Sequence, residues 1–169
     1  MEELSLWLDY YDDIYSDFDS RQYHKRRISE DFLQELKRSL KENKDRLSAL
    51  ILLLPADKRN FSDEAIIISS LKQFFNEQHS RWRENCHRKW QQGIALGIAG
   101  MLAMLVNAVI GLREQSIWPL TLLRILLEPG AWFLLWASLD FLFYDWKEMK
   151  KERDFFRRLT ELSIHFKSS

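Results

Sequence analysis

Residues 93–112 form an unbroken run of 20 with no ionisable side chain. No other feature of the chain restricts its fold so strongly. At about 1.5 Å per residue, an α-helix of that length spans about 30 Å, the thickness of a bilayer's hydrocarbon layer. A second apolar stretch, residues 117–143, is longer and contains Arg124, Glu128 and Asp140. It must tilt or kink to fit, and Pro129 with Gly130 supplies a kink site. Only residues 113–116 join the two stretches, too few for a domain. The pattern predicts a transmembrane helical hairpin. The competing arrangement, a buried hairpin in a soluble protein, needs more surrounding core than 169 residues provide.

Composition becomes informative once the chain is divided. Overall, 30% of residues are charged, as in a soluble protein. Almost all of that charge lies in residues 1–90 and 144–169, and so sharp a segregation points to two solvents. The expected fold is a mostly α membrane protein, a two-span transmembrane hairpin with a small cytoplasmic α+β domain formed by the N- and C-terminal segments. The expected organisation is an N-terminal region 1–89, a hairpin 90–146, and a C-terminal helix and strand 147–169 that packs with 1–89.

Orientation follows from basic residues. Arg81, Arg83, Arg88 and Lys89 precede the first span, and Lys147, Lys150, Lys151, Arg153, Arg157 and Arg158 follow the second. Only Arg113 lies between them. Lys and Arg are retained on the cytoplasmic side, so both termini are expected there. Trp90, Tyr144 and Trp146 fall at the inner boundary and Trp118 at the outer one, where amphipathic rings settle. Residues 1–8 lack a basic region and an apolar run, so no cleavable signal peptide is expected and the first span must act as targeting signal. A bacterial inner membrane suits such a chain. Cys86 is the only cysteine, which excludes an internal disulfide.

Outside the spans, residues 3–18 place Leu4, Leu8, Tyr11, Tyr15 and Phe18 at helical spacing, which predicts an amphipathic helix. A helix is expected from Ser29, with Phe32, Leu33, Leu36 and Leu40 as its stripe. The run LSALILLL, Leu47–Leu54, stops at Pro55 and reads as a strand. A third helix capped by Ser62 runs through Ile67, Leu71, Phe74, Phe75, Trp82 and Cys86 toward the first span. Residues 162–167 alternate apolar and polar, a strand pattern expected to pair with 49–53. Phe32, Leu36, Leu50, Leu52, Phe74, Phe155 and Phe166 are the expected core.

Four constellations have chemical potential. Arg124 and Glu128 are four apart and share a helix face. A lone charge in hydrocarbon costs several kcal/mol, so the pair must face protein, water or each other. Gly93, Gly97, Ala99 and Ala103, with the amide of Asn107, form a small-residue stripe suited to helix packing or to an oligomer face. Asp9, Asp13, Asp17 and Asp19 form an acidic surface with hard oxygen ligands, but their spacing lacks the Gly and Glu of a calcium loop. The basic run at residues 24–27 suits solvent or anionic lipid, and no nucleic-acid partner is expected. His79, Cys86 and His87 are too few for a structural zinc site. No metal, cofactor or catalytic residue is expected, and no phosphate loop or nucleophile motif occurs.

The functional expectation is a non-enzymatic two-pass membrane protein that self-assembles through its spans. It would serve as a scaffold, regulatory subunit or small channel-like oligomer, with the lipid bilayer, further copies of itself or another membrane protein as partners. The alternative is a membrane-anchored cytoplasmic enzyme or divalent-metal-binding domain that uses the acidic segment.

Overall fold

The computed structural model describes residues 2–42, 47–112 and 118–168. The expected connecting turn 113–116 and residue Ile117 lie outside the described residues. The elements in order are strand β1 (Glu2–Trp7), helix α1 (Glu30–Glu42), strand β2 (Leu47–Leu54), helix α2 (Phe61–Leu112), helix α3 (Trp118–Asp140), a π-helical turn Phe141–Asp145, helix α4 (Trp146–Glu161) and strand β3 (Ser163–Ser168). The chain is mostly helical, with two helices long and apolar enough to cross a membrane and a small three-strand sheet. It divides into two compact units, Met1–His79 with Asp154–Ser169, and Ser80–Arg153.

The first unit is built on a parallel sheet in the order β1-β2-β3. Leu4 pairs with Leu50 and Leu50 with Ile164, while Leu6 pairs with Leu52 and Leu52 with Phe166. Side chains alternate across a strand, so these six share one face. Leu50 and Leu52 are fully buried there. The helices add Phe32, Leu36 and Leu40 of α1, Ile67, Leu71 and Phe75 of α2, and Phe156 and Leu159 of α4, and the segment after β1 adds Leu8, Ile14 and Tyr15. Phe74 and Phe155 are half-buried, and Phe74 meets Phe156 edge-on at 6.3 Å between centroids. On the opposite face a 2.9 Å ion pair from Lys167 to Glu3 crosses β2 diagonally.

The strand at 47–54 and the terminal strand form and pair with each other as expected, in parallel and with Ala49 opposite Ser163. The expected helix at residues 3–18 does not form. That segment is β1 followed by a 3-10 turn, Tyr11–Ile14. Leu4 and Leu8 fit both periods, and Leu6, between exposed Ser5 and Trp7, completes the strand alternation. Phe18, assigned to the helical stripe, is fully exposed. The third helix also starts one residue before Ser62. The Asn60 carboxamide oxygen accepts from the Ser62 N–H at 3.1 Å, so Asn60 makes the N-terminal side-chain cap.

The second unit contains the apolar part of α2, all of α3 and the start of α4. Of the most apolar window in each long helix, only 11% and 6% of residues are buried. A core helix of a soluble protein would be buried nearly throughout, whereas these surfaces face outward.

Candidate functional site: a polar layer within the apolar helix pair

Helices α2 and α3 meet through glycines. A Cβ added at Gly93 would lie 3.3 Å from Leu142, at Gly97 2.8 Å from Ser138 Oγ, at Gly100 3.0 Å from Leu135, and at Gly111 3.0 Å from the Arg124 guanidinium. Four such positions along one face of α2 permit close backbone approach. The Ser138 hydroxyl, buried in this seam, donates to the Gly93 carbonyl oxygen at 2.8 Å. Ala131 is buried opposite Gly100.

The small-residue stripe expected from the sequence therefore divides. Gly93, Gly97 and Asn107 belong to the seam, since each lies near a multiple of 3.6 residues from the others. Ala99 is exposed, and Ala103 is half-buried at the edge of the seam. Gly100, Gly111, Ala131 and Ser138 were missed as members. The heptad-like spacing of Gly93, Gly97, Gly100 and Asn107 was the available signal.

These contacts fix an antiparallel register: Gly97 opposite Ser138, Gly100 opposite Leu135, Gly111 opposite Arg124. Continued along both helices, it sets Asn107 level with Glu128. The Asn107 Oδ1 atom is buried and has no hydrogen-bond partner among the described residues. Glu128 lies near the middle of α3 and is exposed, and among the described residues it makes no hydrogen bond or ion pair. Arg124 is half-buried against Gly111. The two residues proposed as a pair thus share a helix face without forming an ion pair. Glu128 borders the seam on the same flank as exposed Thr121, seven residues earlier. The result is a polar layer, Asn107 and Glu128, between the Ser138 hydroxyl toward one end of the seam and Arg124 toward the other.

Two of the acidic residues near the N-terminus, Asp13 and Asp19, are engaged by their own turns. The Asp13 carboxylate accepts the N–H groups of Asp9 and Tyr10 at 2.8 and 2.9 Å, closing the turn after β1. Asp19 accepts the Arg27 N–H at 2.8 Å and forms a two-pronged pair with the Arg21 guanidinium, which holds its carboxyl far below the usual range. Asp9 and Asp17 are exposed. Among the described residues, no three His, Cys, Asp or Glu side chains are grouped to hold a metal ion. Cys86 is buried, His79 half-buried and His87 exposed, its ring within 3.1 Å of the Gln91 amide.

One buried charged cluster escaped sequence reading. Arg59 grips Glu64 through two bonds of 2.8 and 2.9 Å and donates to the Phe166 carbonyl at 3.2 Å and Ser168 Oγ at 3.1 Å. The Tyr11 hydroxyl donates to Glu64 at 3.1 Å and accepts the Asn60 N–H at 2.8 Å. The arginine's hydrogen bonds depress the Glu64 pKa, and burial raises that of Tyr11. The cluster ties the end of β3 to the start of α2 and the turn after β1. Its partners are scattered through the sequence, so no local pattern announces it.

Comparison with protein-family models, with curated proteins and with solved structures yields no significant match.

Proposed function

We propose that this chain is a two-pass integral membrane protein, with both termini in the cytoplasm, that self-assembles along the Glu128 flank of α3. The observation that carries this reading is Glu128, exposed midway along an apolar helix and without a hydrogen-bond or ion-pair partner among the described residues. A carboxylate facing hydrocarbon costs several kcal/mol and is accommodated by facing protein or a water-filled cavity. Two spans cannot enclose such a cavity alone. A second copy offers the same Glu128 and the same Asn107, and a ring of copies would gather these groups around one axis. The outward-facing apolar surfaces of both helices and the basic residues on one side of them support membrane insertion in this orientation. A bacterial inner membrane is the setting that suits the chain.

The assembly acts as a scaffold, regulatory subunit or small channel-like oligomer and carries out no covalent chemistry. The alternative, an acidic metal-binding or catalytic segment, finds less support because Asp13 and Asp19 are committed to their own turns.

Mass photometry of the detergent-purified chain tests the proposal. The wild type is expected to be a homo-oligomer and Glu128→Leu to dissociate toward monomer. A monomeric wild type, or an unchanged oligomer in Glu128→Leu, refutes it. Ion flux through proteoliposomes separates the roles: flux lost in Glu128→Gln indicates a conducting path, and assembly without flux indicates a scaffold. Reporter fusions within residues 113–116 and after Ser169 should report exterior and cytoplasm.

A further inference from the structure

Within the second unit, where the charged part of α2 runs beside the beginning of α4, lies a cavity of about 620 Å³. Its two ends differ. Trp90 and Trp146 line the end nearest the apolar segments, three residues from Gly93 and from Phe143 respectively. Arg83 and Arg153 line the other end, each seven residues further from the apolar segments and so on the same helix faces as the tryptophans. A 3.8 Å contact between Lys89 and Asp145 holds the two helices together beside it. Lys150 lies over the Trp146 ring at 5.0 Å. Glu84 and His87 complete the polar lining.

We propose that this cavity binds a phosphate ester, presented by the headgroup of an anionic phospholipid. Two guanidiniums against one carboxylate leave the lining net positive. Each guanidinium carries five N–H donors in a fork that matches phosphate oxygens, so engagement with a neighbouring carboxylate leaves donors for a ligand. The paired tryptophans stand where the glycerol backbone of a lipid would pass from headgroup to acyl chain, the depth at which such rings settle. Glu84 accepts hydrogen bonds from the headgroup's hydroxyls. Arginines outside and tryptophans inside, on facing helices, reproduce the polarity gradient of one lipid molecule. Basic pockets between membrane helices bind anionic headgroups by the same means. The inference rests on the reading of α2 and α3 as membrane spans, and it is independent of assembly through Glu128.

Native mass spectrometry of the full chain from mixed micelles of dioleoyl phosphatidylglycerol and dioleoyl phosphatidylcholine tests the proposal, paired with thermal shifts on adding either lipid or inorganic phosphate. Phosphatidylglycerol should be retained about tenfold over phosphatidylcholine, which offers the same phosphate but adds a choline cation that the net-positive lining disfavours. Arg83→Gln with Arg153→Gln should abolish that preference. Lys147→Gln with Lys151→Gln removes equal charge from α4 residues that do not line the cavity and should preserve it. Arg83→Lys, which keeps the charge but loses the fork, should give an intermediate preference and guards against misfolding of the double variant. Stabilisation by phosphatidylglycerol and not by millimolar inorganic phosphate identifies a lipid. The reverse identifies a soluble phosphate ester and overturns the lipid assignment. Equal preference in wild type and the arginine variant, or equal loss in the arginine and lysine variants, overturns the site. Glu128→Leu should leave lipid retention intact, so the failure of one proposal is distinguishable from that of the other.

Discussion

Gly97→Ala should reverse the sign of its effect according to the residue at position 138. In the native seam the added methyl would sit 2.8 Å from Ser138 Oγ, a separation that carbon and oxygen do not tolerate. The hydroxyl is held in place by its bond to the Gly93 carbonyl. Either the hydroxyl rotates away and that bond is lost, or the helices separate at their tightest crossing. Loss of an interhelical hydrogen bond in a membrane costs about 0.6–1.7 kcal/mol. Separation forfeits dispersion contacts worth about 0.1–0.2 kcal/mol per atom pair. Against this, alanine is favoured over glycine inside a helix by up to about 1 kcal/mol. The net expectation is destabilisation of at most about 1 kcal/mol. With Ser138→Ala already in place, the nearest remaining contact is the Cβ at 3.5 Å, an ordinary one. Only the helix propensity then acts, and Gly97→Ala becomes neutral or stabilising. The coupling in the double-mutant cycle should be about 1–2 kcal/mol. Reversible unfolding of the detergent-solubilised chain by sodium dodecyl sulfate, for wild type, both single variants and the double, measures it. Additivity within about 0.3 kcal/mol would refute the hydroxyl-mediated contact and the register that sets Asn107 level with Glu128.

Four further outcomes are expected. Phe75→Ala, at a fully buried ring of α2, should cost about 3–5 kcal/mol and be read in the same unfolding assay. Leu52→Asp, in the middle strand, should destabilise more than deletion of residues 162–169, because it buries a charge with no partner, and the two melting temperatures decide the order. Glu64 has a folded pKa below its unfolded value, so its stabilisation is present above about pH 4.3 and is lost as pH falls through the folded value. Glu64→Gln should therefore flatten the acid limb of a melting-temperature profile, and an unchanged limb would count against the Arg59 cluster. Burial pushes the Tyr15 phenol up to about 12, so its contribution is complete below about pH 10 and is lost as pH rises through that window. Tyr15→Phe should remove that part of the alkaline limb.

The sequence exposed whatever has a short repeat distance. Two apolar runs of membrane length, the LSALILLL strand and the stripe of α1 were legible because one solvent boundary imposes each pattern on consecutive residues. The segment around Leu4 and Leu8 was misread because those two positions satisfy both a strand and a helix. Only pairing with Leu50 and Leu52 in β2 resolves the ambiguity, and that pairing is not local. Arg124 and Glu128 were legible as residues that hydrocarbon should not hold. Their separation into one side chain against Gly111 and one facing outward follows from the α2–α3 register, which the contacts of Gly97 and Gly100 set and no spacing within α3 reveals. Ser138 and Gly111 were passed over for the same reason, and the Arg59–Glu64–Tyr11 cluster is composed of residues drawn from three separate turns.

The position of the apolar helices between β2 and β3 has a consequence for the order in which the molecule can be made. β2 forms its central pairings only when β3 exists, and β3 follows it by roughly a hundred residues, about 5–20 s of ribosomal synthesis. During that interval Leu50 and Leu52 have one strand neighbour, and the apolar segments must meanwhile find their own solvent. A nascent chain whose hairpin stalls in water delivers its last strand late or to the wrong place. On the membrane reading proposed above, completion of the sheet would report that insertion has occurred, and any partner that recognises the finished sheet would encounter only chains already seated in the membrane.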